Sequence, residues 1–427
     1  MIRASFRALL FALVSFATAC ANVPIPREQA ALPAAPHYAP TNTPSPTPLP
    51  ADSTPTRIRP TFSLTPSTNA PRTAPTQTSR PFTRAPITRG TPKRDAAALN
   101  EYRRGIAFIA LDRDEYRSPE SQRALDELFA TGATHISLLV TWYQTDVASK
   151  DIYRADNTPT DEDLAYVIAY AHAQGVKVLL KPQVDFSLDE KHWRGQINFT
   201  NEADWRAWFA SYREFILYYA KFAQANGVEE FSVGTELVAT SLRTADWRAL
   251  IRAVRKEYTG LLTYSANHSG EEVQVQFWND LDYIGVNVFY HLTNYRTPTM
   301  EQILEGWKLP VRQLTNLHNN FPDRPIIFTE VGYPSIDLAS VWPWNWKRDG
   351  PVDIDEQAML YEGLFQTWWY HPEREWFRGM YIWNWLPDPE QGGLDDWNYT
   401  PHGKPAEEIL KYYFQLDSPP QHSTASE

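Results

Sequence analysis

Cysteine is all but missing from this chain. Cys20 is the only one among 427 residues, which excludes intrachain disulfides and metal centres built on several thiolates. Glycine is sparse, at 18 residues. None of it makes a phosphate-cradling loop, and an H-E-x-x-H zinc pattern is missing as well. Neither a metal nor a cofactor is therefore expected. Positive charge is short where most of the chain lies. Residues 1–95 hold eleven Lys/Arg against three Asp/Glu, so the net −11 of the whole chain leaves −19 for residues 96–427. A field of that sign repels phosphates, so no nucleic-acid partner is expected.

What is present divides into two materials. Half of the 34 prolines fall between Val23 and Lys93, whereas all 16 tryptophans lie between Trp142 and Trp397. At the start, Arg3 and Arg7 precede an apolar run, Ala8 to Phe16, too short to span a bilayer. Residues 1–20 thus read as a secretory signal. Ala17-Thr18-Ala19-Cys20 resembles the lipobox of bacterial lipoproteins, with Ala17 where leucine is more usual. That resemblance implies lipidation of Cys20 and a membrane held through an N-terminal lipid anchor, at the cell envelope or extracellular surface. Residues 21–95 are rich in Pro and Thr, as in TNTPSPTPLP (41–50). Such a composition buries too little apolar surface to offset chain entropy, so a disordered tether is expected. Extended at ~3.1 Å per residue, it would reach at most ~230 Å. Residues 417–427 read as a disordered tail.

Residues 96–416 alternate short β-rich runs with longer helical ones. Strand candidates are 105–112, 135–142, 177–185, 229–236, 261–268, 282–290, 325–330 and 379–385. Helix candidates include 119–132, 161–175, 201–227, 246–258 and 355–369, several of them ending in glycine. Eight strands, nearly all followed by helices, fit a closed (β/α)8 TIM barrel, an α/β fold. The open doubly wound alternative would usually carry a glycine-rich first turn, which GIAFIALDRDEY (105–116) does not supply.

Two strand candidates end on an acid: FSVGTE on Glu236 and PIIFTE on Glu330. On a barrel the carboxyl ends of the strands surround one cleft. The fourth and seventh strands lie across it from one another, so these acids can be partners. A facing pair of carboxyl groups is the equipment of glycosidic hydrolysis, one group protonating the departing oxygen and the other supporting the sugar cation. A separation of about 5–5.5 Å gives retention of configuration, and about 6.5–9.5 Å gives inversion.

LLKPQVD (179–185), VGTEL (233–237), FTEVGYPS (328–335) and DWNYTPHGKPA (396–406) make the chain similar to glycoside hydrolase family 113. This is a β-mannanase-type family within the large retaining clan of (β/α)8 glycoside hydrolases. The resemblance implies that Glu236 is the acid/base and Glu330 the nucleophile. Thr235 stands where many clan members have asparagine. Tyr290 resembles the clan tyrosine that hydrogen-bonds the nucleophile, and Trp383 would floor the sugar site. Lys181 and Gln183 end the third strand and are candidates for binding hydroxyls. For Lys181 a salt bridge near the cleft is the alternative, since an unpaired buried lysine is costly. Asn287 is a similar candidate, and Trp142 and His268 are further ones. The segment 333–355 is too long for an ordinary βα loop. Its Trp342, Trp344 and Trp346 read either as a sugar-binding platform or as a plug that shields the barrel mouth.

The expected activity is retaining hydrolysis of a β-linked polysaccharide or oligosaccharide, with mannan the first substrate and a monomer the expected state. Transglycosylation, hydrolysis of another β-glycan, and a non-catalytic carbohydrate-binding lipoprotein are the alternatives.

Overall fold

The computed structural model describes residue 94 and residues 96–416, apart from Leu111, Trp346, Arg348 and Asp349. The expected signal segment with Cys20, the tether except Arg94, Trp346 and the tail at 417–427 lie outside the described residues. Among the described residues no helix is long and apolar enough to cross a membrane.

Eight strands form one closed parallel barrel in chain order. They are β1 (Arg103–Phe108), β2 (His135–Gln144), β3 (Lys177–Phe186), β4 (Glu230–Thr235), β5 (Leu261–Asn267), β6 (Ile284–Val288), β7 (Ile326–Val331) and β8 (Phe377–Trp385). Every strand expected from the sequence is present, and the closed barrel replaces the open-sheet alternative. The described helices are α1 (Ala96–Asn100), α2 (Pro119–Ala130), α3 (Asp161–Ala173), α4 (Glu202–Asn226), α5 (Val238–Ser241), α6 (Thr244–Glu257), α7 (Glu271–Gln274), α8 (Met300–Asn320), α9 (Ile354–Trp368) and α10 (Pro405–Phe414). Local signals place their ends. Ser118 caps α2, and Thr160 with Asp163 forms a capping box on α3. Gly227, at φ 70°, closes α4 in the left-handed conformation that glycine adopts without a Cβ penalty. Helix α8 carries a weaker sequence signal because Pro310 sits inside it.

Side chains alternate along the regular parts of each strand. The outward set, such as Ile136, Leu138, Val178, Leu180, Phe231 and Phe328, joins the main apolar core beneath the helices. Aromatic rings dominate that layer. Trp208 stacks on Tyr212 at 4.8 Å, and Trp247 on Phe277 at 5.4 Å. The inward set is more polar. At the amino-terminal end of the barrel, Leu179, Leu261, Tyr283, Ile327 and Tyr381 form a small cluster closed by Ala98 and Leu99. Arg103 lies inside it, fully buried, with Nε donating to Glu230 Oε1 at 2.9 Å. Its other nitrogens donate to the carbonyls of Ala98, Leu99 and Glu101, and so tie α1 across the barrel floor. The second Glu230 oxygen accepts from the hydroxyls of Tyr283 (2.6 Å) and Tyr381 (3.3 Å).

Removing one partner of such a buried pair leaves an uncompensated charge. Arg103→Met is expected to destabilise the barrel by about 3–5 kcal/mol. Urea unfolding checks this: the midpoint should fall with the slope unchanged, and adding Glu230→Met should restore much of the loss.

Candidate active site

Both glutamates singled out above lie at the carboxyl-terminal mouth, and in both strands the backbone departs from regular pairing just before them. Along β4 and β5, Ser232 faces Thr263 but Thr235 faces Ser265, so β4 holds one extra residue. Along β6 and β7, Val286 faces Phe328 and Asn287 faces Glu330, which skips Thr329. A bulge of one residue reverses the alternation beyond it. Glu330 therefore shares the barrel interior with Thr329, the residue before it, instead of facing the helices.

The bulge in β4 is held by side chains. Tyr212 Oη donates to the carbonyl of Val233 at 2.9 Å, and Ser232 Oγ to that of Gly234 at 2.8 Å. A Cβ at Gly234 would come within 2.7–2.9 Å of Trp247, Tyr264 and Tyr212, so only glycine fits. Glu236 follows with φ 53°, a left-handed backbone rare for residues with a side chain. Its N–H donates to Ser265 O at 2.9 Å, and the next N–H, of Leu237, donates to Tyr264 Oη at 2.8 Å. Tyr264 donates in turn to Glu271, which also accepts from the N–H of Asn267 at 2.7 Å. Glu271 thereby anchors both the turn after Glu236 and the residue whose Nδ2 reaches Glu236 Oε1 at 2.9 Å. The other oxygen of Glu236 accepts from Arg194 Nη1 at 2.8 Å. Glu236, Arg194 and Asp185 are all buried, and Arg194 Nη2 donates to Asp185 Oδ2 at 3.0 Å.

Glu330 has a different cation. Lys181, fully buried on β3, donates to Glu330 Oε1 at 2.5 Å, so Lys181 forms the salt bridge that was one of its two expected roles. Burial pushes the Glu330 carboxyl above its usual range, the Lys181 charge pulls it back, and the charge of Glu236 adds to the upward push. The two acids thus sense one another across the mouth. Between them, Asn267 pairs with Asn287 and Asn287 with Glu330 in adjacent strands, which puts all four residues in one layer. Asn287 accepts from Thr329 Oγ1 at 2.8 Å, while its Nδ2 is buried without a hydrogen-bond partner among the described residues. Thr235 Oγ1 is in the same position, and Gln183 is buried on the inward face of β3 with Lys181 and Asp185.

Other candidates fall elsewhere. The hydrogen bond from Tyr290 to Glu330 that the family resemblance implies is not formed. Tyr290 has the outward parity of Val288, packs edge-on against His268 and Trp307, and turns its hydroxyl toward Glu272 without a well-formed hydrogen bond. Burial raises the Glu272 carboxyl to about 7. Trp142 is likewise outward, its indole donating to Tyr219 Oη on α4 at 3.0 Å. His268 lies between Tyr290 and Trp344, and burial holds its imidazole down at about 4, against the upward pull of Glu236. Trp383 is half-buried at the mouth against Ala107, Ile109, Leu139 and Leu386. A Cβ on Gly332, just past β7, would overlap the Trp383 carbonyl oxygen.

The long segment after β7 is pinned at many points. Ile336 bridges Val352, Ser340 pairs with Thr293, and Glu356 accepts the N–H groups of Leu338 and Ser340 at 2.8 and 2.9 Å. Trp344 is half-buried beside His268, and Trp342 is 41 % exposed. The stretch 396–406 belongs to the same structure. Lys404, fully buried at its side chain, donates to Ser335 Oγ, Asp396 Oδ1 and Asn398 O at 2.8–3.0 Å. Asp337, Asp353 and Glu356 bring one carboxylate oxygen each within 4.8 Å of one another and could hold a cation. Asp337 is already paired with Arg296, and Asp353 caps α9.

Three site residues lie outside the reading of the sequence alone. Asp185 and Asn267 follow from strand parity with Lys181 and with Ser265. Arg194 lies in the turn after β3 and has no periodic signal at all.

The sequence profile of Glycoside Hydrolase Family 113 matches residues 107–404. Among solved structures, a GH113 β-1,4-mannanase in complex form is 28% identical, with a TM-score of 0.65, covering 74% of this chain and 99% of its own. The GH113 β-mannanase of Alicyclobacillus acidocaldarius is 30% identical, with a TM-score of 0.66, covering 74% and 97%. A β-glucuronidase from Ruminococcus gnavus, 13% identical with a TM-score of 0.50, covers 74% of this chain and 50% of its own, and shares the fold alone. No curated protein matches the chain by sequence.

Burial raises the Glu271 carboxyl to about 8, against the donors of Asn267 and Tyr264. Its unfolded value is ~4.3, so between the two the folded state binds more protons. This contribution to stability is full below the unfolded value and is lost as pH rises through 8. Glu271→Gln, fixed neutral, should gain stability relative to the native chain between pH 5 and 8, by up to about 1.4 kcal/mol per pH unit. Urea titrations at several pH values check this; a difference independent of pH would contradict it.

Proposed function

The chain belongs to glycoside hydrolase family 113, and from that premise we propose that it is a surface-anchored retaining hydrolase of β-1,4-linked mannan, with Glu330 as nucleophile and Glu236 as acid/base. The observation that carries the roles is the unequal company of the two acids in one layer of the mouth. Glu330 has a dedicated ammonium, Lys181, whereas Glu236 shares a guanidinium with another carboxylate. The group that must stay ionised is the one with its own cation. The group that must gain and lose a proton is the one whose cation has a second partner.

In the first step Glu330 attacks the anomeric carbon while Glu236 gives its proton to the departing glycosidic oxygen. In the second, Glu236 takes a proton from water, whose oxygen displaces Glu330 from the sugar. Asn287 Nδ2 and Thr235 Oγ1, buried and unpartnered among the described residues, suit sugar hydroxyls. Gln183 is a further hydroxyl contact from the same wall. Trp383 offers an indole face for a sugar ring at the reacting position. Trp342 and Trp344 offer further indole faces on the long loop, with Trp346 in the same segment. The 28–30% identical neighbours that carry the name β-mannanase support mannan as substrate. Lipidation of Cys20 would hold the enzyme at the cell surface.

Release of reducing sugar from mannan, glucomannan and other β-glucans tests the substrate, with mannan expected to be cut fastest. Glu236→Gln and Glu330→Gln should each lower kcat/KM by about 10³-fold or more. Azide should rescue Glu330→Gly as a glycosyl azide of inverted configuration. Turnover unchanged in both glutamine variants would remove the assignment.

A further inference from the structure

Asp185 takes no part in the double displacement, yet it is buried at the edge of the site, with 4 % of its surface exposed. One fork of Arg194 holds it at 3.0 Å and the other holds Glu236 at 2.8 Å, while Nε is spent on the carbonyl of Val184 at 3.2 Å. Asp185 Oδ1 accepts from the N–H of Phe186 at 3.0 Å. One cation therefore stands between two buried carboxylates.

The other charged or titratable groups facing Glu236 come from several elements. His268, after β5, is held down at about 4, and Glu271, in α7, is raised to about 8, both by burial. Between those values His268 is neutral and Glu271 protonated, so neither changes charge. Glu330 on β7 is matched by Lys181 from β3. On β2, burial pushes the Tyr143 phenol, which faces Asp185 and Arg194, up to about 12. What remains is Arg194 with Asp185 and Glu236. With both acids ionised this trio carries −1, and with one of them protonated it is neutral.

We infer that Asp185 is a positioning residue for the acid/base: it gives Arg194 a counter-charge whenever Glu236 carries its proton, so that the two carboxyl groups hold one proton across a shared guanidinium. This rests on Glu236 being the acid/base. Without Asp185, the whole Arg194 charge would fall on Glu236 and favour its ionised form, which cannot protonate a leaving group. Without Arg194, the two carboxylates would face each other uncompensated and hold their proton more tightly. Burial raises the Asp185 carboxyl to about 6, with Arg194 opposing and Glu236 adding to the rise.

The test is the pH profile of kcat/KM on a β-1,4-mannan oligosaccharide, whose departing oxygen needs the acid. Asp185→Asn should move the basic limb down by about one pH unit or more and leave the acidic limb in place. Arg194→Met should move the basic limb up, and it reads the same coupling if Asp185→Asn fails to fold. On 2,4-dinitrophenyl β-mannoside, whose leaving group needs no proton, this basic limb should be absent from the native enzyme and from both variants. A uniform fall in kcat/KM with the limbs unmoved would mean a merely structural role and would overturn the inference. The two levels separate cleanly. Full oligosaccharide turnover by Glu236→Gln would remove the acid/base assignment itself. An inactive Glu236→Gln alongside unmoved limbs in Asp185→Asn and Arg194→Met would remove only the part given to Asp185.

Discussion

A carboxylate can be kept out of water at a barrel mouth only if something repays its lost hydration. That requirement orders this site. Glu236 and Glu330 are each 6 % exposed, and an isolated ionised carboxylate so placed would simply take up a proton. Lys181 on Glu330 and Arg194 on Glu236 supply that compensation in different ways. A point-charge ammonium with one partner suits a group of fixed charge. A planar guanidinium with two parallel donors can serve two acids at once and remain neutralised when one of them is protonated. The same logic recurs at the barrel floor, where Arg103 and Glu230 neutralise each other among tyrosine hydroxyls. There the surroundings are closed by α1, and the pair serves stability alone.

Geometry comes from backbone irregularity as much as from side chains. Regular alternation would turn Glu330 toward the helices, since Thr329 already occupies the inward position. The extra residue in β7 reverses this, and the one in β4 sets the approach to Glu236. Each bulge frees backbone groups that must be satisfied. In β4 the partners are Tyr212 and Ser232, with Gly234 leaving room for the aromatic layer behind. The aromatic core under α4 and α6 is thus part of how Glu236 is aimed, and Glu271 completes the support from the other side.

Much of this was legible in the sequence. The strands were, because short β-rich runs alternating with longer helical ones leave little choice of fold. So were Glu236 and Glu330, because an acid closing a buried strand stands out. Lys181 could be read only as a choice between salt bridge and ligand, since its partner lies 149 residues away. Tyr290 was legible as an aromatic at a strand end, but the face it takes depends on parity counted from Asn287, and that count turns it outward. Arg194 was not legible. A charged residue in a turn has no spacing signal, and its importance follows only from where the turn folds back. Helix α8 was obscured by Pro310, which breaks the usual helical signal.

The account stands on Glu330 being the group that bonds to the sugar. Incubation with 2-deoxy-2-fluoro-β-mannosyl fluoride, followed by mass mapping of the labelled peptide, measures this directly. A single fluoroglycosyl adduct on Glu330 is the predicted result. An adduct on Glu236 or Asp185, or an active enzyme that acquires no adduct, would contradict it.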